Sequence, residues 1–520
     1  MQSWYADDGQ AVGKLRALRE WWDRLVEIGP PYGYYPTAVK TVLIVKPGLE
    51  EQANDIFRGT GVTIAKAAGG RDLGAAVGSL AFRRQYVGDK VDKWVSMIEV
   101  LAGVAKTQPH AAHALYVHAI RHRWKFLQRC MGYVDGVFQS LEDAQRSKLI
   151  PALFGRVGEA ISDLDREIYA LPSRLAGLSM DNPAMEAGEC YNDSQKLTGF
   201  IQDLILGGGG ELDMDLVREG RKELKRQRAE RVSTRASLVK SKVFQGSRLS
   251  RALDVASEKG ASAVFSARPV EEFGFCFRSK RDFRDLLDLR YAKPVRCLQE
   301  KCACGAVFTV DHSQICKKGG FVVHRHNELE VVWAKECKKV FVDVALEPHL
   351  QALSGEGLGG ASANLGDEAR SDVRVRGFWG NWKNAFFDFR VFYPFASSHF
   401  KRSLSSLYTS CSKEKKREYA ERIERVEDGS FTPLIMSTAG GMGPEMSVAL
   451  KFLAHKIAVK EGSHYSKVVD VLRCRFSFAA ARTALICLRG SRSLFNNRKF
   501  TGSANVGDRD APADLVFASM

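Results

Sequence analysis

Apolar positions along the chain switch between helical and strand spacing. Residues 12–28 carry apolar side chains at helical spacing, and an apolar, β-rich run follows at residues 41–45. Residues 89–187 form mostly amphipathic helical windows, which predict a helical bundle. Residues 370–375 and 385–391 alternate between polar and apolar positions as β-strands do. The pattern therefore predicts an α+β chain, and its 520 residues suffice for several domains.

Glycine and charge separate these segments. Residues 207–210 are four consecutive glycines, and residues 218–251 contain 12 Lys/Arg against 3 acidic residues. Two interpretations stay open for this basic segment, a solvated charged helix or a surface that contacts nucleic acid. The residues considered for such contact are Arg221, Lys222, Lys225, Arg226 and Arg228. The polar residues 496–520 are predicted to be a frayed tail.

The overall charge favours a polyanionic partner. The chain has 77 Lys+Arg and 61 Asp+Glu, a formal net charge of +16. No apolar run of membrane-spanning length and no signal-peptide pattern is found, so no membrane partner is expected. The 11 cysteines are therefore expected in a reducing compartment, where a cysteine cluster indicates a metal site more than a disulfide framework.

Three groups of residues carry candidate chemistry, and the first is Tyr5-Ala6-Asp7-Asp8. Nucleotidyl transfer by two metal ions needs carboxylates that hold the ions about 4 Å apart, and adjacent aspartates on a tight turn suit this role. Taken alone, however, a short acidic turn occurs often by chance.

The second group consists of Cys302, Cys304, His312 and Cys316. Three thiolates and one imidazole are the ligands that tetrahedral zinc prefers, and Cys297 is a spare candidate. Four protein ligands leave no open position for water, so this zinc is predicted to be structural. A redox role is less favoured because the spacing of Cys302 and Cys304 is not Cys-x-x-Cys.

The third group consists of Glu328, Glu347, Asp372 and Asp388. An acidic residue such as Asp388, within an apolar strand, is costly unless it is paired or metal-bound. Salt bridges at strand ends are one explanation. The favoured one is that Asp372 and Asp388, on neighbouring strands, share a Mg²⁺ ion.

The front of the chain resembles reverse transcriptases of retrotransposons that lack long terminal repeats. Tyr5-Ala6-Asp7-Asp8 resembles the palm motif, residues 38–41 the lysine-bearing motif, Leu73-Gly74 the primer-grip turn and residues 171–178 part of the thumb. The resemblance implies that Asp7, assisted by Asp8, binds Mg²⁺ and that Lys40 faces the triphosphate. The fingers and another metal-binding aspartate would precede Met1, so we expect no polymerisation by this chain alone.

The back of the chain resembles the restriction-like endonuclease domain of the same retrotransposons, a relative of the PD-(D/E)xK nucleases. The resemblance lies in the Cys/His group followed by Asp372 and Asp388. It implies that these aspartates bind Mg²⁺, with Glu328 and Glu347 in support. Arg390 stands where many of these nucleases have lysine, and guanidinium stays protonated, so it can stabilise charge but cannot act as a base. The alternative lysines are Lys415 and Lys416.

The two resemblances together imply a domain order. It is a partial polymerase palm at 1–85, a helical thumb at 86–206, a Gly-rich and basic linker at 207–259 and a zinc-stapled, restriction-endonuclease-like α/β domain at 260–495. They imply DNA and the element's own RNA as partners, and a nuclear location or a cytoplasmic ribonucleoprotein before import. The expected activity is Mg²⁺-dependent DNA nicking. The rival interpretation is a remnant that binds nucleic acid without catalysis.

Three aromatic residues, Phe378, Trp379 and Trp382, lie between the two strands predicted at residues 370–375 and 385–391. We predict that they belong to the core, because large aromatic side chains dominate protein cores. Stacking on nucleic-acid bases is the less favoured interpretation.

Overall fold

The computed structural model describes residues 2–6, 8–65, 69–207, 211–277, 279–360 and 363–492. In these ranges the protein is α+β, with helices forming most of the ordered structure and short strands forming small sheets. Asp7 and the predicted tail lie outside the described residues. Across the described ranges, no helix combines the length and the apolar character needed to cross a membrane.

Strands and helices alternate along the chain in groups. The strands are β1 (Gln2–Tyr5), β2 (Asp8–Ala11), β3 (Val42–Leu43), β4 (Thr63–Ile64), β5 (Gly69–Asp72), β6 (Ala75–Gly78), β7 (Val344–Leu346), β8 (Val373–Arg376), β9 (Asn384–Phe392) and β10 (Ser430–Ser437). The helices are α1 (Leu15–Ile28), α2 (Glu50–Ile56), α3 (Leu80–Ala105), α4 (Pro109–His118), α5 (Lys125–Cys130), α6 (Gln139–Ala144), α7 (Ile150–Phe154), α8 (Asp163–Ala170), α9 (Pro183–Leu206), α10 (Met214–Ser241), α11 (Arg248–Ala256), α12 (Ala263–Ser266), α13 (Lys280–Arg290), α14 (Val310–Ile315), α15 (Phe321–Lys338), α16 (Leu404–Arg425), α17 (Pro444–Glu461) and α18 (Tyr465–Arg489).

The chain packs into two units, and each unit is assembled from several stretches. The first unit comprises Met1–Ile98, His122–Ala144 and Asn182–Leu224, and the second comprises Glu99–Arg121, Gln145–Asp181 and Lys225–Met520. These units are defined by packing alone. The functional domains named from the resemblance therefore stay predictions.

The first unit combines two-stranded sheets with helices. β1 and β2 form an antiparallel hairpin, β3 and β4 pair in parallel, and β5 and β6 form a second hairpin. Trp94 of α3 and Trp124 are buried, with ring centroids 6.1 Å apart. The strand predicted at residues 41–45 contributes only Val42–Leu43 to a sheet, and Val42 is half exposed, so little apolar packing extends this strand.

The second unit is built around a four-stranded sheet in the order β10-β9-β8-β7. β9 is parallel to β10 and antiparallel to β8, and β8 is antiparallel to β7. Successive side chains of β9 point to opposite faces. Phe387 and Phe389 join a hydrophobic core that also contains residues of α15, α17 and α18, whereas Phe386 packs with Tyr419 and Ile423 of α16.

A buried aromatic cluster fixes α15 against this sheet. Trp333 of α15 is fully buried, and its ring centroid lies 5.2 Å from that of Phe387 and 6.1 Å from that of Phe476 on α18. Aromatic pairs at these separations contribute about 0.5–1.5 kcal/mol beyond area burial. The position of α15 beside the sheet is therefore set by packing.

The basic part of the predicted linker forms the long helix α10. All five residues considered for nucleic-acid contact, Arg221, Lys222, Lys225, Arg226 and Arg228, are exposed on it. Arg226 pairs with Glu230 one turn later. A solvated helix and a nucleic-acid surface both fit this arrangement, so contact with nucleic acid stays a prediction.

The aromatic residues between β8 and β9 divide between core and surface. Phe378 is fully buried, as predicted, but Trp379 is 38% exposed and Trp382 is 82% exposed. The prediction of a core position is therefore wrong for Trp382. The physical reason is that Trp382 lies in the turn that joins the strands, where the chain has left the sheet.

Candidate active site and metal centre

Strand pairing brings Asp372 and Asp388 together. Val373 lies opposite Phe387 in the antiparallel pair β8–β9, and one further step of that register places Asp372 opposite Asp388. Burial, followed by the charge of Asp372, raises the pKa of Asp388, as expected for neighbouring carboxylates. The two aspartates that the sequence singled out are therefore neighbours on adjacent strands.

Asp388 is the most buried acid of the site, at 2% exposure. Its pKa is raised to about 7, and burial is the largest cause. Lys415 Nζ of α16 lies 2.8 Å from Asp388 Oδ2 and opposes this shift. Burial acts to lower the pKa of Lys415, but the charge of Asp388 raises it on balance, so the lysine is a cation.

Asp372 is held by a side chain and by the backbone of the neighbouring strand. His326 Nε2 of α15 lies 3.1 Å from Asp372 Oδ1, and the Phe389 N–H donates to Asp372 Oδ2 at 2.5 Å. Burial acts to lower the pKa of His326, but the hydrogen bond to Asp372 raises it on balance. These contacts fix the direction of the carboxylate, as outer partners do for metal ligands.

Glu330 completes an acidic group that sequence analysis missed. The candidate ligand atoms of His326, Glu330 and Asp372 all lie within 4.8 Å of one another. Burial, followed by the charge of Asp372, raises the pKa of Glu330 to about 7. His326 and Glu330 stand four residues apart on α15 and so share one helix face. That spacing was the available signal, and it disfavours Glu328, which lies midway between them.

The other predicted residues of the group hold different partners. Glu347 is in the left-handed backbone region at φ 45°, and its N–H donates to the Asp372 carbonyl at 2.7 Å. The Glu347 carboxylate lies 3.5 Å from Arg370 and is 55% exposed. For Glu328, no contact with Asp372 or Asp388 is found among the described residues.

The three basic candidates differ in what they contact. Lys415 reaches Asp388, whereas Lys416 pairs with Glu445 at 2.7 Å. Arg390 pairs with Glu414 at 2.7 Å. Among the three, Lys415 is therefore the cation in contact with the paired aspartates.

A second group, consisting of Cys302, Cys304, His312 and Cys316, can hold a metal ion, as predicted. Cys302 Sγ lies 3.8 Å from Cys316 Sγ, and Cys304 Sγ lies 3.4 Å from His312 Nε2. Around a tetrahedral zinc with Zn–S bonds of about 2.3 Å, two sulfur atoms lie about 3.8 Å apart. The spacing therefore fits zinc, and Cys297 is not one of the four.

Local backbone geometry builds this Cys/His group. The Cys302 N–H donates to the Ala306 carbonyl at 2.9 Å, and Gly305 turns the chain at φ 89°. The Ala306 N–H lowers the pKa of Cys304, which favours the thiolate that binds metal. Thr309 caps α14 by accepting from the His312 N–H at 3.0 Å, which places His312 in the first turn.

The described residues of the acidic turn near the start of the chain have few contacts. Asp8 is exposed and pairs with Tyr5 in the hairpin β1–β2, while Asp7 lies outside the described residues. Lys40 is exposed at the end of a short 3₁₀ helix. No contact between Asp8 and Lys40 is found in the part of the chain that the structure describes, so their polymerase roles stay predictions.

Comparison of the sequence with protein-family models and with curated proteins gives no match.

Proposed function

We propose that the second unit is a Mg²⁺-dependent endonuclease that nicks DNA. The observation that carries the proposal is Asp388, a buried carboxylate whose pKa is raised to about 7 beside Asp372 and in contact with Lys415. Perturbed acids of this kind cluster at functional sites. A lysine beside paired carboxylates supports phosphodiester chemistry, because it can offset the charge of a phosphorane.

The donor set suits a hard divalent cation. Asp372 and Glu330, whose ligand atoms lie within 4.8 Å of each other and of His326, offer carboxylate oxygens, the ligands that Mg²⁺ prefers, and Asp388 is a neighbouring carboxylate. Burial and mutual repulsion raise the pKa of Asp388 and of Glu330, and a bound cation would relieve both effects. When bound, Mg²⁺ supplies Lewis-acid activation of water and stabilisation of the leaving oxygen.

The side chains around the site have separable tasks. Asp372, oriented by His326, and Asp388, beside Lys415, would hold the cation. Lys415 would move from Asp388 towards the scissile phosphate and stabilise its developing charge, because an ammonium on a flexible stem can change partner. Glu330 would accept a proton from the attacking water once its own carboxyl is ionised.

The test is nicking of supercoiled plasmid DNA by the purified chain in Mg²⁺. We expect Asp372→Asn and Asp388→Asn to reduce the rate at least about a thousandfold, because each removes a charged metal ligand. Asp163→Asn is the matched control, since Asp163 is 86% exposed and pairs with Arg146. Equal nicking by the parent and the folded Asp388→Asn variant would falsify the proposal.

A DNA-binding protein without catalysis is the second candidate, and one observation favours it. Lys415 already neutralises Asp388, and His326 already contacts Asp372. Because protein side chains already offset the negative charges of this site, its structure does not require a bound metal ion. The site can therefore keep its structure in a protein that has lost catalysis. Salt-dependent DNA binding by a parent chain that fails to nick, on plasmid and on genomic DNA alike, would select this role.

The remaining implications of the family resemblance are part of the same proposal. They are the reverse-transcriptase palm and thumb, the element RNA as partner and the nuclear location. The net charge of +16 supports a nucleic-acid partner in general.

A further inference from the structure

The turn between β8 and β9 presents an aromatic side chain to solvent. Trp382 is 82% exposed, and the turn is closed by the Gly377 N–H donating to the Lys383 carbonyl at 2.8 Å. An indole exposed to this extent offers a flat apolar face on which a base can stack. Trp382 also has a left-handed backbone, at φ 69°, which is unusual for a bulky residue.

The neighbouring tryptophan anchors the same turn. Trp379 packs against Phe378 and Phe452, with ring centroids 4.8 Å and 4.9 Å away, and its Nε1 donates to Thr432 Oγ1 at 3.0 Å. The turn is therefore attached to the core through one indole and displays the other. The packing of Trp379 therefore stabilises the turn in which Trp382 is exposed to solvent.

The charge around Trp382 is positive. The Arg376 guanidinium lies 5.7 Å from the centroid of the Trp382 ring, and no ion pair of Arg376 occurs within the described ranges. Lys383 follows Trp382 and is 65% exposed, with a 3.4 Å contact to Asp428. An aromatic face flanked by exposed cations suits a nucleic-acid strand, which offers bases to the ring and phosphates to the cations.

The position of the turn relates it to the candidate active site. Arg376 lies opposite Asn384, on the sheet face that also carries Phe386 and Asp388. From Asn384 to Asp388 the strand advances four residues, or about 13 Å, which is about four base steps of B-DNA. Along β9, the turn is therefore only a few nucleotides from the aspartates, but Phe386 between them is buried against α16, so a DNA strand cannot lie on that part of the sheet face.

We propose that Trp382 stacks on an unpaired base of the DNA strand that the second unit binds, with Arg376 and Lys383 contacting the adjacent phosphates. The inference rests on the proposed function for its choice of DNA as the polyanion. It adds a preference for unpaired or distorted DNA over intact duplex. The proposed occupant is a base, because the exposed indole offers a stacking face and the flanking cations offer partners to phosphates.

The test measures binding by the full chain in EDTA, so that cleavage does not interfere. The probes are a fluorescein-labelled duplex and the same duplex with a central bubble of unpaired bases, one of them a fluorescent adenine analogue quenched by stacking. We expect Trp382→Ala to weaken bubble binding roughly tenfold and to abolish the quenching, with duplex binding changed by less than about twofold. Trp382→Phe should keep most of the affinity.

Tyr32→Ala is the control, because Tyr32 is 88% exposed and lies in the first unit. The inference is overturned if Trp382→Ala binds the bubble as the parent does, if the quenching persists, or if duplex and bubble binding fall together. It is also overturned if the parent binds neither probe. Plasmid nicking by the same preparations in Mg²⁺ reports the proposed function separately, so either idea can fail alone.

Discussion

The two candidate metal groups of the second unit differ in how their ligands are held. In the Cys/His group, sulfur atoms stand 3.8 Å apart, the spacing that tetrahedral zinc requires. In the acidic group, Asp388 contacts Lys415 and Asp372 contacts His326, so the ligands have other partners. The first arrangement suits a permanent, structural ion. The second suits an ion that enters with substrate and leaves again.

The two groups are nevertheless connected through the chain. Cys316 precedes the start of α15 at Phe321 by only five residues, and α15 carries His326 and Glu330. An ion that fixes Cys316 would thus also fix the entry of the helix that lines the acidic group. The comparison predicts that the Cys/His group acts on stability and the acidic group on catalysis.

Removal of the Cys/His metal should have the largest effect. We expect a zinc-selective chelator, or Cys316→Ser, to lower the unfolding free energy of the second unit by several kcal/mol, because structural zinc contributes folding energy. Thermal unfolding with parallel metal analysis measures this effect. Cys297→Ser is the control, since Cys297 is exposed and outside the group. A purified chain that holds no zinc and unfolds at the same temperature with the chelator would contradict a structural ion.

The same comparison predicts that removal of Mg²⁺ leaves the unfolding temperature nearly unchanged while it stops nicking. The acidic group is already neutralised in part by Lys415 and His326, so folding does not depend on the cation. A large loss of stability in EDTA at constant zinc content would instead place a structural ion in the acidic group.

Next in size is the effect of Lys415. We expect Lys415→Met to slow nicking roughly a hundredfold, because it removes the cation beside the scissile phosphate and leaves Asp388 buried without its counter-charge. Lys416→Met should stay within about threefold of the parent, because Lys416 pairs with Glu445 away from Asp388. The measurement is the plasmid nicking rate of both variants and the parent at saturating Mg²⁺. Equal losses in the two variants would mean that helix charge, and not contact with Asp388, matters.

Only part of the acidic group could be predicted from sequence. The alternation of residues 370–375 and 385–391 marks Asp372 and Asp388 as acids among apolar residues, but His326 and Glu330 of α15 were not predicted. The choice between Lys415 and Lys416 could not, since adjacent residues on a helix point about 100° apart and only the packing of α16 decides which faces the sheet. Glu330 was missed in favour of Glu328 for the same reason. A helix face is defined only once one contact, in this case that of His326 with Asp372, is known.

Local spacing was sufficient for the Cys/His group and insufficient elsewhere. The four ligands lie within 15 residues of one another, so short-range turns bring them together. Phe378 and Trp382 are both large aromatic residues, and this residue type favours a core position for each of them. Trp382 is nevertheless exposed, because it lies in the turn. Exposure in a turn depends on where the strand pairing stops, and that boundary is weakly marked in the sequence.

Glu258 is a buried acid that belongs to neither candidate metal group. It therefore shows the effect of burial alone on the pKa of a carboxyl group. Burial raises the pKa of Glu258 to about 7 from an ordinary 4.5, although Ser437 Oγ donates to it at 3.1 Å. Between pH 4.5 and 7 the folded chain keeps a proton that the unfolded chain loses, so stability falls as pH rises through this window. We expect Glu258→Gln to remove roughly 3 kcal/mol of that fall.

Chemical denaturation at several pH values measures the slope for Glu258→Gln. Asp163→Asn serves as the control, because Asp163 is 86% exposed, pairs with Arg146 and does not act on the pKa of Glu258. A parent-like slope in Glu258→Gln would show that other groups set the pH dependence of stability. Nicking should be unaffected in both variants, since neither acid contacts Asp372 or Asp388 in the described contacts.

The smallest expected effect concerns the acidic turn near the start of the chain. Asp8 is exposed on a two-stranded hairpin, where water screens its charge and no cation is held in place among the described residues. Asp8→Asn should therefore change the plasmid nicking rate by no more than about twofold, in contrast to Asp388→Asn. It should change the unfolding free energy by no more than about 0.5 kcal/mol. If Asp8→Asn slowed nicking as strongly as Asp388→Asn, a carboxylate would not need burial and a neighbouring cation to contribute to nicking in this protein.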